Sequence, residues 1–286
     1  MNYKTPKKLA VIQDMAGIGR CSLSVALPVI SACHVQACPM PTALFSNHTG
    51  FPTYYKHDFT PHIPDYLDAW KKLDQHFDGI YCGYLGSSAQ MELISSYIKE
   101  EKSLLPDTRI MIDPVFGDHG QLYHGLSDDY VSAMRSFIYS ADLITPNLTE
   151  ACFLTGTPFC ETECSPAALH ALGERLCALG PSQIVITGIR DGDFFVNFTF
   201  DAEHGTSDSC RVPVSGSSRP GTGDIFASIV AAKLLAGVPL SECVKTAADF
   251  IAACTKASDE ACVPVRDGVI FEHFLSLLAT SGHDLC

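Results

Sequence analysis

The sequence predicts an α/β fold, an open and largely parallel sheet with helices on both faces. Strand-like and helix-like segments alternate along most of the chain, the rhythm of βαβ units. The strand-like segments are aliphatic or β-branched and mostly end at Gly, Pro or Asp. Polar residues recur just past those ends, where open α/β sheets gather their ligands.

The first strand is expected at 9–13, followed by a glycine-bearing turn and a helix at 22–33. Further strands are expected at 79–83, 109–112, 143–145 and 183–187, with helices between them at 63–76, 89–101, 129–140 and 166–179. Segments 194–200 and 209–214 read as two antiparallel strands, and helices at 225–236, 240–257 and 267–279 complete the chain. No internal repeat, low-complexity tract or Pro/Ser-rich linker divides the sequence, so residues 1–286 read as a single domain.

With 47% hydrophobic and 18% charged residues the chain has material for a substantial core. A formal charge of −13 excludes nucleic acid as a partner, because phosphate backbones require clustered Lys and Arg. It does not exclude a nucleotide, whose phosphates are neutralised locally by metal ions and backbone amides. The basic opening 1–8 leads into only four apolar residues, and no run of eighteen apolar residues occurs. No membrane partner and a cytoplasmic location are therefore expected. The thirteen cysteines include no Cys-x-x-Cys pair; Cys33, Cys82, Cys177 and Cys254 lie in apolar segments and read as reduced core thiols.

The most informative stretch is Gly221-Thr222-Gly223-Asp224, opening onto the apolar run 225–232. Two glycines let a ligand approach the backbone, and the unpaired first amides of a helix attract an anion, typically a phosphate. A carboxylate there suits proton removal beside a phosphoryl group. The plainer alternative is that Asp224 complements the helix dipole. Asp113-Pro114-Val115-Phe116-Gly117-Asp118 carries two carboxylates suited to hydrated magnesium, although Asp and Gly are also ordinary turn residues. In Thr145-Pro146-Asn147-Leu148-Thr149-Glu150, Asn147 and Glu150 have capping-box spacing; Glu150 could also hold metal-bound water and Asn147 a phosphate. The loop Ser46-Asn47-His48-Thr49-Gly50-Phe51 could wall a small polar ring, and Tyr84 could stack on it. Gly17-Ile18-Gly19-Arg20-Cys21-Ser22 invites a dinucleotide-binding reading but lacks the third glycine. Neither a P-loop nor a Gly-x-Ser-x-Gly elbow is present.

On these motifs the chain resembles the ribokinase-like superfamily, and within it the pyridoxal/pyridoxamine (vitamin B6) kinases. Gly221–Asp224 resembles the superfamily's anion hole and base, whereas Ser46–Gly50 together with Gly83-Tyr84-Leu85-Gly86-Ser87 resembles the B6 kinases specifically. The resemblance implies a three-layer αβα kinase transferring the ATP γ-phosphate to the 5′-hydroxymethyl group of pyridoxal, pyridoxine or pyridoxamine. It implies Asp224 as base, with Gly221, Thr222 and Gly223 holding the transferring phosphate. Asp113, Asp118 and Glu150 would organise Mg²⁺, and Asp118, Asn147, Glu150, Thr187 and Gly188 would face ATP. Thr145 and Thr187 would seat a monovalent cation such as K⁺. Ser46, His48, Thr49 and Tyr84 would line the pyridine pocket, with Tyr123 reaching over from a flap at 119–124. A homodimer is implied by the family.

Two departures stand out. Asp14 occupies a position where many B6 kinases carry Ser, and a carboxylate there would favour a cationic amine such as pyridoxamine. The segment Ile189-Arg190-Asp191-Gly192 matches no family feature. Three competing readings are a hydroxymethylpyrimidine kinase, whose members commonly carry Cys in place of Asp224, an NAD-dependent oxidoreductase built on Gly17–Ser22, and a non-catalytic vitamer-binding protein.

Overall fold

The computed structural model describes residues 5–160 and 164–279. Eleven strands occur among them: β1 (Lys8–Ala16), β2 (Gln36–Phe45), β3 (Lys56–Asp58), β4 (Gly79–Cys82), β5 (Arg109–Ile112), β6 (Gly117–Asp118), β7 (Gln121–Leu122), β8 (Leu143–Ile144), β9 (Gln183–Asp191), β10 (Phe194–Asp201) and β11 (Thr206–Pro213). The helices are α1 (Leu23–Ala32), α2 (Ile63–Lys72), α3 (Ser88–Leu104), α4 (Asp128–Phe137), α5 (Leu148–Thr155), α6 (Pro166–Cys177), α7 (Thr222–Leu235), α8 (Leu240–Glu260) and α9 (Ser276–Ala279).

Nine strands form one sheet in the order β11-β10-β9-β8-β5-β4-β1-β2-β3. The pairs from β2 through β9 are parallel, and β3, β10 and β11 add antiparallel edges. Alternate strand residues feed two separate cores. Ala10, Ile12, Ile80, Ile110, Ile144 and Ile184 face α2 to α6. Leu9, Val11, Tyr81, Met111, Leu143 and Val185 face α1, α7, α8 and α9. This is the ribokinase-like three-layer arrangement. Helix α7 is buried without a break from Ile225 to Lys233, because it lies between the sheet and its neighbours α1 and α8.

Two expectations change. The strand β2 is not among those expected, and it contains Pro39 and Pro41, residues that lack a backbone donor for a sheet. The structure tolerates them: β3 pairs β2 only at Ala43–Phe45, so both prolines lie where that edge has no partner strand. The helix expected at 267–279 is instead two 3₁₀ turns, Val265–Asp267 and Glu272–Phe274, and the single turn α9. Gly268, with φ of 79°, breaks the segment. Of the cysteines read as core residues, Cys33, Cys82 and Cys254 are buried, whereas Cys177 is half-buried. Burial pushes the Cys33 thiol up to about 11, as expected of an inert thiol.

The loop before α7 is held from beneath by Arg219. Its guanidinium donates to Asp259 Oδ1 at 2.7 Å and to the carbonyls of Val263, Pro264 and Gly268 at 2.9, 3.2 and 3.1 Å. The other Asp259 oxygen accepts from the Ser217 amide and hydroxyl. Replacing Arg219 with Leu strands three carbonyls; at about 1 kcal/mol each, stability should fall by about 3 kcal/mol, measured by denaturant unfolding.

Candidate active site

The expected strand-end residues converge on one rim. Asp14 lies near the end of β1, Tyr84 two residues past β4, Asp113 directly after β5, Thr145 directly after β8, and Thr187 within β9. Asn147 and Thr187 form an isolated parallel bridge, which joins the helix-start motif to the β9 rim. The N-terminus of α7 meets this rim from the opposite face. Gly221 caps it in a left-handed conformation (φ 81°), and Gly223 opens onto free space, with no atom within 4 Å of a Cβ placed there. The α7 amides therefore have room for an anion at their open end.

Asp224 stands in the first turn of α7, and its Oδ2 accepts from the Ser22 amide at 2.8 Å. Among the described residues no donor reaches Oδ1. Burial pushes the carboxyl up to about 6, with the Ser22 hydrogen bond pulling the other way. Asp14 and Asp113 are each 7% exposed, and both feel the charge of Asp224. Burial, reinforced by that repulsion, lifts each of them to about 7, against a Thr145 hydrogen bond to Asp113 at 2.7 Å. Glu150 is raised too, by burial and then by Asp113. The Tyr123 hydroxyl, at the cleft wall, is pushed up by desolvation and by the fields of Glu150, Asp118, Asp113 and Asp224. One tyrosine thus registers four of the expected site carboxylates. Such a group of like charges costs stability and marks a place built for positive charge or proton transfer.

The sign of that cost is testable. A carboxyl with a raised folded pKa favours the fold fully below its unfolded value, and that contribution is lost as pH rises through the folded value. For Asp14 the window runs from about 4 to about 7. Asp14→Asn should therefore melt higher than wild type at pH values above this window, with the difference shrinking in acid. Activity carries the opposite dependence, since the base must be ionised. A kcat/KM profile should fall below about 6 as Asp224 takes a proton.

The capping box read from the sequence is formed: Asn147 Oδ1 accepts from the Glu150 amide at 2.9 Å and Glu150 Oε2 from the Asn147 amide at 2.8 Å. Glu150 Oε1 also accepts from the Phe116 amide, and Asn147 Nδ2 donates to the Gly117 carbonyl, tying α5 to the β6–β7 hairpin. Thr187 reaches the Pro146 carbonyl, and the Gly188 amide bonds Asn197. Asp118 is exposed and caps its neighbour, the His119 amide. The carboxylates of Asp113, Asp118 and Glu150 do not form a closed cage: among the described residues no three His, Cys, Asp or Glu side chains could hold a metal alone. Magnesium does not require one, since it uses one or two carboxylates together with substrate phosphates and water. The buried, mutually repelling pair Asp113 and Glu150 fits that demand.

His48 takes a different part from that expected. Its Nδ1 accepts from the Gly50 amide at 3.1 Å, so Nε2 carries the proton and donates to the Arg266 carbonyl at 2.7 Å. The ring ties the 46–51 loop to the C-terminal segment and packs against Gly19, where a Cβ would lie 2.2 Å from it. Ser46 accepts from the Tyr55 amide, Thr49 is exposed, and Tyr84 is half-buried in the field of Asp14. The Gly17–Ser22 turn is packed against protein on both sides, by His48 and by Gly221, and offers no open cradle for a dinucleotide. Ser22, absent from the expected site, is its central structural residue. Its non-glycine φ of 55° is the signal of local strain that a sequence does not display.

Sheet and site together define a ribokinase-like α/β kinase. The phosphomethylpyrimidine kinase family profile matches residues 26–264. A Bacteroides thetaiotaomicron protein described as a phosphomethylpyrimidine kinase, in its orthorhombic form with pyridoxal, superimposes with a TM-score of 0.91 at 34% identity over 96% of both chains. The pyridoxal kinase of Lactobacillus plantarum gives 0.86 at 31% identity, covering 95% of this chain and 96% of its own. The pyridoxine/pyridoxal/pyridoxamine kinase of Bordetella avium is 29% identical over 90% of this chain and 88% of its own. The chain belongs to the phosphomethylpyrimidine kinase family and, within it, stands with the pyridoxal kinases.

Proposed function

We propose that this chain is an ATP-dependent kinase of B6 vitamers, transferring the γ-phosphate to the 5′-hydroxymethyl oxygen of pyridoxal, pyridoxine or pyridoxamine. The observation that carries it is Asp224, held by the Ser22 amide at the mouth of α7 with an oxygen left over and open space beside Gly223. Asp224 Oδ1 takes the proton of the attacking hydroxyl while the amides of Thr222 and Gly223 hold the transferring phosphoryl group. Thr222 keeps its own hydroxyl on the Arg219 carbonyl, which leaves its amide for the phosphate. Mg²⁺, held through Asp113 and Glu150, supplies neutralisation of the nucleotide's phosphate charge when bound. Asn147, Thr187 and Gly188 border the nucleotide side, with Asp118 at its exposed edge. Tyr84, Asp14 and the 46–51 loop border the vitamer side, and Tyr123 covers the carboxylates. Thr145 and Thr187 are the seat proposed for K⁺. The chain acts as one kinase domain, cytoplasmic and homodimeric.

The test is ADP release by the purified protein with each of the three vitamers and with hydroxymethylpyrimidine, in K⁺ and in Na⁺ buffers. Turnover with at least one vitamer, at a kcat/KM above that for the pyrimidine, is expected. Preference for the pyrimidine turns the assignment to a hydroxymethylpyrimidine kinase. Vitamer binding without ADP release leaves a binding protein.

A further inference from the structure

We infer that Asp14 is the specificity-determining residue of this site and receives the protonated 4′-amine of pyridoxamine. This rests on the B6-kinase reading above. Asp14 sits at a break in the β1–β2 register: Gln13 pairs with Pro41 and Met15 with Leu44, so Thr42 and Ala43 of β2 stand opposite Asp14 alone and the ladder is interrupted there. The carboxyl goes into the protein, where it is 7% exposed.

Ser22 links the strand end that carries Asp14 to the base. Its amide donates to Asp224 Oδ2 at 2.8 Å, and its backbone forms an isolated antiparallel bridge with Met15, the chain neighbour of Asp14. The same residue thus lies beside the end of β1 that carries Asp14 and holds Asp224, and Asp14 stands in the field of the Asp224 charge. Ser22 holds this position at φ 55°, a conformation that side-chain-bearing residues rarely adopt. The Gly17–Ser22 turn is thereby part of the active site.

Substrate chemistry supplies the rest. In every B6 vitamer the 5′-hydroxymethyl and the 4′ substituent sit on adjacent ring carbons. With the 5′ oxygen at Asp224, the 4′ group is the heteroatom that falls to a second, neighbouring carboxylate. Pyridoxamine offers an ammonium there, pyridoxine a hydroxyl and pyridoxal a carbonyl oxygen. An ammonium gives a buried carboxylate a charge-assisted hydrogen bond, whereas a carbonyl presents lone pairs to it. Asp14 is otherwise poorly compensated. The Asp224 charge repels it, and the Lys56 ammonium that offsets it sits on the edge strand β3, over the Phe45 ring at 5.6 Å.

The experiment compares wild type with Asp14→Asn and Asp14→Ser, each full-length, in kcat/KM for pyridoxamine, pyridoxine and pyridoxal at saturating Mg·ATP near neutral pH. The pyridoxamine-to-pyridoxine ratio should fall about 10- to 100-fold in both variants, the worth of a hydrogen bond to a charged group. Calorimetry without nucleotide should show the same selective loss in pyridoxamine affinity. Thermal melts check folding, and Asp14→Ser keeps the comparison open if the Asn variant does not fold. An unshifted ratio overturns the inference, whether all activities persist or all fall together; the latter would put Asp14 on a group shared by the vitamers. Wild type that releases no ADP with any vitamer overturns the kinase reading itself, a separate result from an active enzyme with an unshifted ratio.

Discussion

Asp224→Asn should lose about a thousandfold in kcat while still binding ATP. The amide has the size of the carboxylate and a carbonyl oxygen that still accepts from the Ser22 amide, so the mouth of α7 keeps its shape. Basicity and charge are lost. The substrate hydroxyl then has no group to take its proton as its oxygen meets phosphorus. Stability separates this effect from damage. The Asp224 charge raises the pKa of Asp14 and of Asp113, so its removal relieves both buried carboxyls. The variant should melt at least as high as wild type near neutral pH, and ATP titration should give a nearly unchanged Kd. A kcat within tenfold of wild type would show that another group takes the proton.

Gly221→Ala should disable the enzyme by a different route. At φ 81° an L side chain is strained, at a cost of about 1–3 kcal/mol. Space is the larger obstacle: a Cβ would lie 1.8 Å from the Arg20 carbonyl oxygen, 2.9 Å from its carbon and 3.2 Å from the Cys21 Cα. These are backbone atoms, and no rotamer change clears them. The Gly17–Ser22 turn must move off α7, carrying the Ser22 amide away from Asp224. A lower melting temperature and at least about a hundredfold loss in kcat/KM are expected, since misplacement on the ångström scale costs that much. Gly223→Ala is the control. No atom lies within 4 Å of its Cβ position, so the fold should hold and the loss should fall on the phosphate side, read as weaker ATP binding. Wild-type activity in Gly221→Ala would mean that the two turns need not touch.

Much of this was legible without coordinates. Strand ends at Asp113 and Thr145 were marked by aliphatic runs stopping at polar residues, and the Asn147–Glu150 box by its spacing alone, whereas the strand expected to stop at Thr187 runs on to Asp191. Local rules suffice there because a cap or a strand end depends on neighbours within a few residues. The residues 36–45 were harder to read, since their prolines signal a turn and only the missing partner on one edge makes a strand of them. The tail at 265–279 repeats apolar residues at helical spacing, yet its carbonyls go to Arg219, Arg20 and His48 instead of to a helix. No single-chain pattern announces that competition. His48 belongs with these cases: a polar loop histidine reads as a pocket wall until both ring nitrogens are found in use.

What the amino-acid order determined unaided was the alternation of strands and helices, the glycine turn at α7 and the inventory of carboxylates. Period-two and helical apolar patterns and the conformational needs of glycine are written residue by residue. What only the tertiary structure decided was which of those carboxylates meet. Asp14 and Asp224 are more than two hundred positions apart, and Asp14 feels the Asp224 charge because β1 runs beside β4 and both share one core with α7. The hold of Ser22 on Asp224 requires a backbone angle that propensity disfavours, maintained by the packing of two loops against each other. Contacts of that range are bought by burying two whole cores, which no local segment of sequence records.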